Sequence, residues 1–478
     1  MKSEETTKKV SLKGNLGAIS IALMVVATAA PLTVMAGVSP LIIGFGNGAA
    51  APVNALLVGL VMLLFSVGFV EMSKYISNAG AFYAYIVKGI GGATGVGAAA
   101  LAVFSYSIIL IALEAYLGFV ISDAALNFLG LSIPWWISAL AVVAIIAFLG
   151  YRNIELSTKV LGVALLLEIG IILLLDVATF GSLGLSGMDT TGFSSSTFLS
   201  GSPGLGILFA IFGFIGFEST VIYREEAVDP DRSIPRATYI AVIFISLLYF
   251  FSFWATVSSI GADKVVEVAN TSAATMYLDL MTKHLGSAFH NAAQLLLITS
   301  IFAVCLAIHN IVARYTYVLG SSGIISGKLG QVHGTQASPH VASATQTVVS
   351  SIVLIAAVLL GMDPVTQIYT WGAAAGTLGY MIIVVLACLS VIMFFQRNPS
   401  KAGPWKTLIA PALGGLGLLI FLFIALNNLS ALTGSVGLNA INICIVGLLV
   451  VSFVVGLLRA NMMKSNAPQK FEAMIKNM

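Results

Sequence analysis

Five ionisable side chains stand where nearly every neighbour is apolar. Glu218 lies in "FGFIGFESTV", Glu114 in "IILIALEAYLGF", Glu168 and Asp176 in "LLLEIGIILLLD", and His309 in "AIHNIV". An acid placed at the middle of a membrane helix costs about 2.5 to 3.5 kcal/mol, so each such group needs a partner, a wet cavity or a proton. The chemistry open to them is uptake and release of a proton or a cation.

Each also has a plainer reading. Glu218 is either a proton-accepting or gating carboxylate, or a neutral carboxyl that hydrogen-bonds opened backbone. Glu114 either meets the distal amine of a cationic ligand or lies near the outer water with Asp123. Glu168 either binds a proton or cation or bridges helices as a neutral acid, and Asp176, two turns on, is expected at the outer interface. His309 titrates near working pH, or is a satisfied structural histidine, with Arg314 anchoring the cytoplasmic end of the same span. Glu218, Glu168, Glu114 and His309 are the candidates for proton coupling or gating.

Nothing in the sequence supplies a catalytic residue, a metal set or a cofactor motif, so no enzyme and no cofactor is expected. "GIGGATGVG", Gly89 to Gly97, follows no strand and lacks the Gly-Lys-Ser/Thr ending of a phosphate loop; it is expected to be a hinge. Cys305, Cys388 and Cys444 sit in apolar stretches without metal spacing and are expected to be buried small hydrophobes.

The elements that must hold these groups follow from composition. Of 478 residues, 59% are apolar and 9% charged, against roughly a quarter charged in soluble domains. Stretches able to cross about 30 Å of hydrocarbon as helix lie near 15 to 46, 50 to 73, 96 to 123, 132 to 150, 156 to 180, 203 to 223, 236 to 260, 287 to 319, 341 to 361, 365 to 395, 407 to 426 and 437 to 459. This predicts an all-α integral membrane protein of twelve spans. Lys2, Lys8 and Lys9 imitate a signal-peptide start, but the apolar run from Leu16 to Phe45 is too long for that role. With an even number of crossings both termini share one side, and of the 22 Lys and Arg residues all but Lys264 and Lys283 fall on it. That side is expected to be the cytoplasm, in a cell inner membrane. The formal charge of +3 reflects this orientation and implies no nucleic-acid partner.

Two spans should not be straight. At 1.5 Å per residue the first would reach about 45 Å, and "ATAAPLT", Ala27 to Thr33, places Pro31 inside it. The sixth carries Gly213 and Gly216 in "FGFIGFE". Irregular backbone at membrane depth survives where it lines a cavity or is buried in protein. First and sixth are corresponding positions if spans one to five and six to ten are repeats, inverted because five is odd, and such pairs point to a transporter site. The plainer reading is a kink in each.

"GFE…EEAVDPDRSIPRA" (Gly216 to Ala237), "HNIVARYTYVLGSSGIISGKLGQVHGTQASP" (His309 to Pro339), "SNAGAFYAYI" (Ser77 to Ile86) and "APLT" resemble segments of the amino acid, polyamine and organocation (APC) transporter superfamily. The resemblance covers nearly the whole chain. It implies a five-plus-five inverted-repeat (LeuT-like) fold with broken helices one and six, alternating access, and two C-terminal helices. The implied divisions are a tail at 1–14, repeats at 15–180 and 203–395, helices eleven and twelve at 407–459, and a tail at 460–478. It further implies that Thr28, Ala29 and Ala30 offer backbone donors to a carboxylate, that Phe212 gates the ligand, and that Ile215 is a pocket wall. Carbonyls from Phe212 through Gly213 to Ile215 would take an amine, and Ile308, His309, Thr370 and Trp371 would be further walls. The chain reads Ala-Thr-Ala-Ala-Pro where Gly-Ser-Gly is commoner, and Glu168 stands where several branches carry a Lys.

The expectation is a proton-coupled permease for a small amino acid, amine or polyamine in the lipid bilayer. An amino acid/amine exchanger is the alternative, and a channel or receptor of the same architecture comes after it. Monomer and homodimer stay equally open. Charges from Arg224 to Arg236 are expected either to be a solvated connector or to pair across the cytoplasmic mouth, and Ser233 with Pro235 to start span seven.

Overall fold

Without water to receive backbone N–H and C=O groups, a chain this apolar must satisfy them within helices, and among the described residues of the computed structural model every named element is a helix, with one isolated bridge between Leu16 and Ala227. It describes residues 16–76, 81–152, 158–334, 338–435, 437 and 439–477. The expected tail at 1–14, the start of the Ser77 to Ile86 stretch and the side chain of Lys159 lie outside the described residues.

Among the described residues, ten helices are long and apolar enough to cross a membrane: Ala18–Met72, Gly92–Leu129, Leu161–Leu183, Pro203–Val221, Pro230–Ile260, Ser287–Ser321, His340–Leu359, Pro364–Arg397, Trp405–Asn427 and Ala440–Asn466. Trp135–Tyr151 is a shorter apolar helix between the second and third of these. The 55 residues of Ala18–Met72 would reach about 80 Å if straight, and they are not. The backbone turns left-handed at Ala30 (φ 47°) and leaves helical geometry again at Gly46 and at Gly48 (φ 58°), before Ala51–Met72 begins. Of the twelve long helical segments among the described residues, the first is residues 18–47, the second Ala51–Met72, the third Gly92–Leu129 and the fourth Trp135–Tyr151.

The fifth segment is Thr158–Leu183, and the sixth joins Pro203–Phe212 to a ten-residue 3₁₀ helix, Phe217–Glu226. Runs of 3₁₀ this long are uncommon, since eclipsed side chains and poorer hydrogen bonds make them costly. The seventh, Pro230–Ile260, starts before the expected Ser233 because Pro230 sits at the first helical position after Asp229. The eighth is Ser287–Ser321, the ninth His340–Leu359, the tenth Pro364–Arg397, the eleventh Trp405–Asn427 and the twelfth Ala440–Asn466.

The third segment is the central post, packed against the fourth, eighth, tenth and twelfth. The second half of the first segment lies on the first half of the sixth at a glycine contact: a Cβ on Gly46 would stand 2.6 Å from the Gly206 Cα. At the opposite end Leu16 N–H donates to Glu226 C=O (3.0 Å) and Val228 N–H to Leu16 C=O (3.1 Å), so the two broken segments are tied at both ends.

Two expectations change, for Cys444 and Asp176, and two gain detail, for the C-terminal tail and the connector charges. Residues 468–477 form a further helix, whose Phe471 and Met474 are buried with Tyr83, Val87 and Leu319, because Phe471, Met474 and Ile475 recur at helical spacing. Cys444 is exposed, on the apolar outer face of the twelfth segment. Asp176 is buried, accepting a 2.6 Å hydrogen bond from Ser252 of the seventh segment. The connector charges pair locally: Arg224 with Asp231 at 2.5 Å and Arg232 with Asp229 at 3.7 Å. The glycine stretch does break the chain, between helix Ala81–Gly89 and Gly92, with Gly91 at φ 147°.

Candidate functional site

In the first segment the helix Ala18–Ala29 stops because Pro31 has no N–H and its ring clashes with the preceding turn. Ala30 absorbs the stop as the one non-glycine residue with positive φ among the described residues. In the sixth, Gly213, Phe214 and Ile215 fold into successive tight turns, and Gly216 takes φ 109°. The breaks touch: a Cβ on Gly216 would lie 2.8 Å from Thr28 Cγ2.

Where they meet lies a cavity of ≈ 50 Å³, lined from the first segment by Thr28, Ala29, Ala30 and Val34, from the sixth by Phe212, Ile215, Gly216 and Glu218, and from the eighth by Ile308 and Ile311. The third adds Tyr106, Ile109 and Leu113. This volume holds only one or two waters at about 30 Å³ each. A larger cavity of ≈ 310 Å³ shares Thr28, Val304 and Ala307 with it and runs along the first segment to Leu16. Of the expected substrate residues, Thr28, Ala29, Ala30, Phe212, Ile215 and Ile308 are thus brought together.

Glu218 is the single carboxyl of the small cavity. Its Oε1 accepts from Tyr106 Oη at 2.7 Å, and its Oε2 from Gly216 N–H at 2.9 Å and Tyr380 Oη at 3.2 Å. One side chain therefore joins the sixth-segment break to the third and tenth segments. The backbone is engaged more than expected: Ala30 N–H returns to Ala27 C=O (3.1 Å) and Gly213 C=O accepts from Tyr249 Oη (3.3 Å). Donors left by a helix start belong to its first turn, which here begins after Ala30, and the Leu32 N–H faces Glu168. Glu168 also accepts from Ser300 Oγ (2.9 Å), which receives Thr33 Oγ1 (3.0 Å), so it fastens the fifth and eighth segments to the break in the first.

Four expected residues lie elsewhere. Trp371 opens on a separate cleft of ≈ 230 Å³ with Ile108, Val353 and Gly372, and the Thr370 hydroxyl bonds Val365 C=O. Each helical residue turns about 100° from the last, and on the tenth segment Tyr369 takes the inward place, edge-on to Phe212 and stacked on Tyr116. His309 points from the cavity to Ser343 of the ninth segment, its Nε2 2.8 Å from Oγ. Glu114 is buried on the third segment but does not line the cavity.

Tyr106, Tyr380 and Tyr369 were not anticipated; the signal available was a tyrosine among small apolar residues, whose hydroxyl must find a partner when buried. Glu71 was also missed, buried at the end of the second segment with Lys74 (2.9 Å) and Lys406 (3.4 Å). Among the described residues no group of three or more His, Cys, Asp or Glu gathers as a metal set would.

A model of the amino acid permease family matches residues 16–462. The low-affinity putrescine importer PlaP of Escherichia coli strain K12 is 24% identical over 429 residues, covering 86% of this chain and 88% of its own. The branched-chain amino acid permease BcaP of Bacillus subtilis strain 168 is 23% identical over 304 residues, covering 60% of this chain and 58% of its own.

Proposed function

The chain belongs to the amino acid permease family, and from that membership we propose that this multi-pass membrane transporter carries a small apolar amino acid by alternating access, coupled to protons. The observation that carries the reading is the small cavity where both helix breaks meet. Its walls are Ile109, Leu113, Ile215, Ile308 and Ile311, with Glu218 as its one acid. Apolar walls around few polar groups suit an apolar side chain. The exposed carbonyl ends at Thr28 and Ala29 suit an ammonium, and the first turn after Ala30 suits a carboxylate.

A cavity of ≈ 50 Å³ cannot admit an amino acid without opening. The adjoining ≈ 310 Å³ cavity supports opening toward the Leu16 end of the first segment, which on the distribution of basic residues would face the cytoplasm of a cell inner membrane. The twelve segments would all cross. Residues 15–180 and 203–395 would be inverted repeats, 407–459 the two added helices, and segments one and six would rock with two and seven. Glu218 would couple protonation to closure by holding or releasing Tyr106 and Tyr380, and Glu168 would set the first-segment break.

A second reading is a diamine substrate, favoured by the carboxyl of Glu218 in the cavity and by the likeness to a putrescine importer. A thermal-shift panel on purified protein separates the two, because a ligand that binds only the folded state raises its melting point. Leucine, isoleucine, valine and alanine are expected to stabilise it and putrescine not. The reverse order would replace the first reading with the second. Uptake into vesicles driven by a proton gradient alone distinguishes symport from exchange, which needs substrate on the far side.

A further inference from the structure

Away from the cavity, a seam of polar side chains runs along the ninth segment. His340, Ser343, Gln346 and Ser350 recur at steps of three and four, which sets them on one helix face, and the last three are buried. The opposite face shows Val348, Val349, Ile352 and Ile355 outward, as a lipid-facing helix does. Polar partners come from the third and eighth segments. Ser343 Oγ is 2.8 Å from His309 Nε2, Ser107 Oγ donates to Gln346 Oε1 at 2.9 Å, and Gln346 Nε2 donates to Ser350 Oγ at 3.3 Å. At the inner end Ser350 stands beside Glu114 without closing a hydrogen bond, and both carboxyl oxygens of Glu114 are buried with no partner. At the other end His340, its Nδ1 buried and unpartnered, packs edge-on against His333 and Tyr151.

Polar residues between membrane helices commonly serve as interhelical hydrogen bonds. That accounts for Ser343 with His309 and for Ser107 with Gln346. It does not account for Glu114, which closes no such bond and would be replaced by leucine at a gain in insertion energy. From His340 to Ser350 the row climbs about 15 Å, half the hydrocarbon thickness of about 30 Å. The row therefore joins the helix end to the depth at which the unpartnered carboxyl sits.

We propose that Glu114 is a second proton-binding site, loaded from the His340 end through Ser343, Gln346 and Ser350 and not through the substrate cavity. Side chains three or four apart on a helix are about 5 to 6 Å from one another, a gap that one bridging water closes. Hydronium at the His333 and His340 mouth gives up a proton, water and hydroxyl groups relay it, and the Glu114 carboxylate becomes a neutral acid; release is the reverse, and no other bond changes. The groups that face Glu114 from packed elements are the Cys305 thiol of the eighth segment and Ser350 of the ninth. The fourth, tenth and twelfth segments carry no acidic, basic or histidine side chain before Arg397 and Arg459, and Asp123 lies toward the other end of Glu114's own segment. That the loading face is cytoplasmic rests on the orientation proposed above.

The test is infrared spectroscopy of the full-length protein in vesicles, following the C=O stretch of a protonated buried acid that Glu114→Gln removes. The band is expected to be present at low pH and to disappear reversibly as pH is raised. In Gln346→Met, which keeps the volume and loses the hydrogen bonds, hydrogen–deuterium exchange of this band is expected to slow roughly tenfold, a barrier change of about 1.4 kcal/mol. In Ile308→Trp, which fills the cavity, the exchange rate is expected to stay at the wild-type value. A band that does not titrate, or an exchange rate that Gln346→Met leaves alone and Ile308→Trp slows, overturns the proposal. Should Gln346→Met fail to assemble, Ser107→Ala, which frees Gln346 Oε1, gives the same reading. No substrate enters the measurement, so a failure of the transport reading would show separately.

Discussion

The Tyr106 hydroxyl donates a 2.7 Å hydrogen bond to Glu218 Oε1, tying the break in the sixth segment to the central third segment 112 residues away in sequence. With Tyr380 on the other oxygen, the carboxyl holds three segments together at the wall of the cavity. A hydrogen bond to a charged acceptor is worth about 1.5 to 3 kcal/mol and one to a neutral acceptor about half that, so the grip depends on the proton at Glu218. In Glu218→Gln the grip is fixed at its neutral strength: the protein is expected to fold, and uptake into proteoliposomes to lose its dependence on pH. A pH profile of uptake identical to wild type would remove Glu218 from coupling.

Gly216 is placed where no other residue fits well. Its φ of 109° costs a side-chain-bearing residue about 1 to 3 kcal/mol, and an added Cβ would meet Thr28 Cγ2 at 2.8 Å. Gly216→Ala is expected to lower the melting temperature and to slow transport at least as much as it destabilises, since the strain falls on the contact between the two breaks. Adding Thr28→Ala removes the clash and leaves the dihedral, so the double variant should recover part of the loss. Full recovery would show that the backbone conformation is of no consequence, and no initial loss would show that the breaks do not need to touch.

Ser300 gives a third measurement. Its hydroxyl donates to Glu168 and accepts from Thr33, so Ser300→Ala strands two buried groups at once, at about 1 to 3 kcal/mol each when no water replaces the hydroxyl. A clear fall in melting temperature is expected, with Ser300→Thr restoring most of it. A wild-type melting point in Ser300→Ala would mean that the fifth and eighth segments do not depend on this link to the first.

These three sites differ in how far the chain itself announced them. Pro31 and the glycines of "FGFIGFE" mark the breaks because local covalent geometry alone forbids a regular helix there. Glu218, Glu168 and Glu114 stand out because charge in an apolar run is costly wherever it points. Direction is what sequence withholds. Trp371 and Tyr369 are two positions apart on one helix, and only packing against Tyr116 and Phe212 turns the second inward. His309 and Ile308 are adjacent, yet one meets Ser343 and the other the cavity. Ser300 was invisible beforehand, as a serine in an apolar helix usually bonds its own backbone.

Outside the membrane, Asp189 clamps the connector between the fifth and sixth segments onto the top of the seventh. Its Oδ1 accepts from Thr191 N–H (2.8 Å), its Oδ2 from Ala262 N–H (3.0 Å), and its carbonyl from Trp254 Nε1 (2.7 Å). Partial burial pushes its pKa up, but the Thr191 and Ala262 donors outweigh this and hold the carboxyl below the ordinary 3.8. A folded-state pKa below the unfolded one means stability that is fully present above about pH 4 and is lost as pH falls through the folded value. Asp189→Asn removes that contribution at every pH. The melting temperatures of wild type and variant are therefore expected to differ at neutral pH and to converge on acidification below about pH 4. A difference that stays constant down to the acid limit would mean that the clamp works through shape and not through the charge on Asp189.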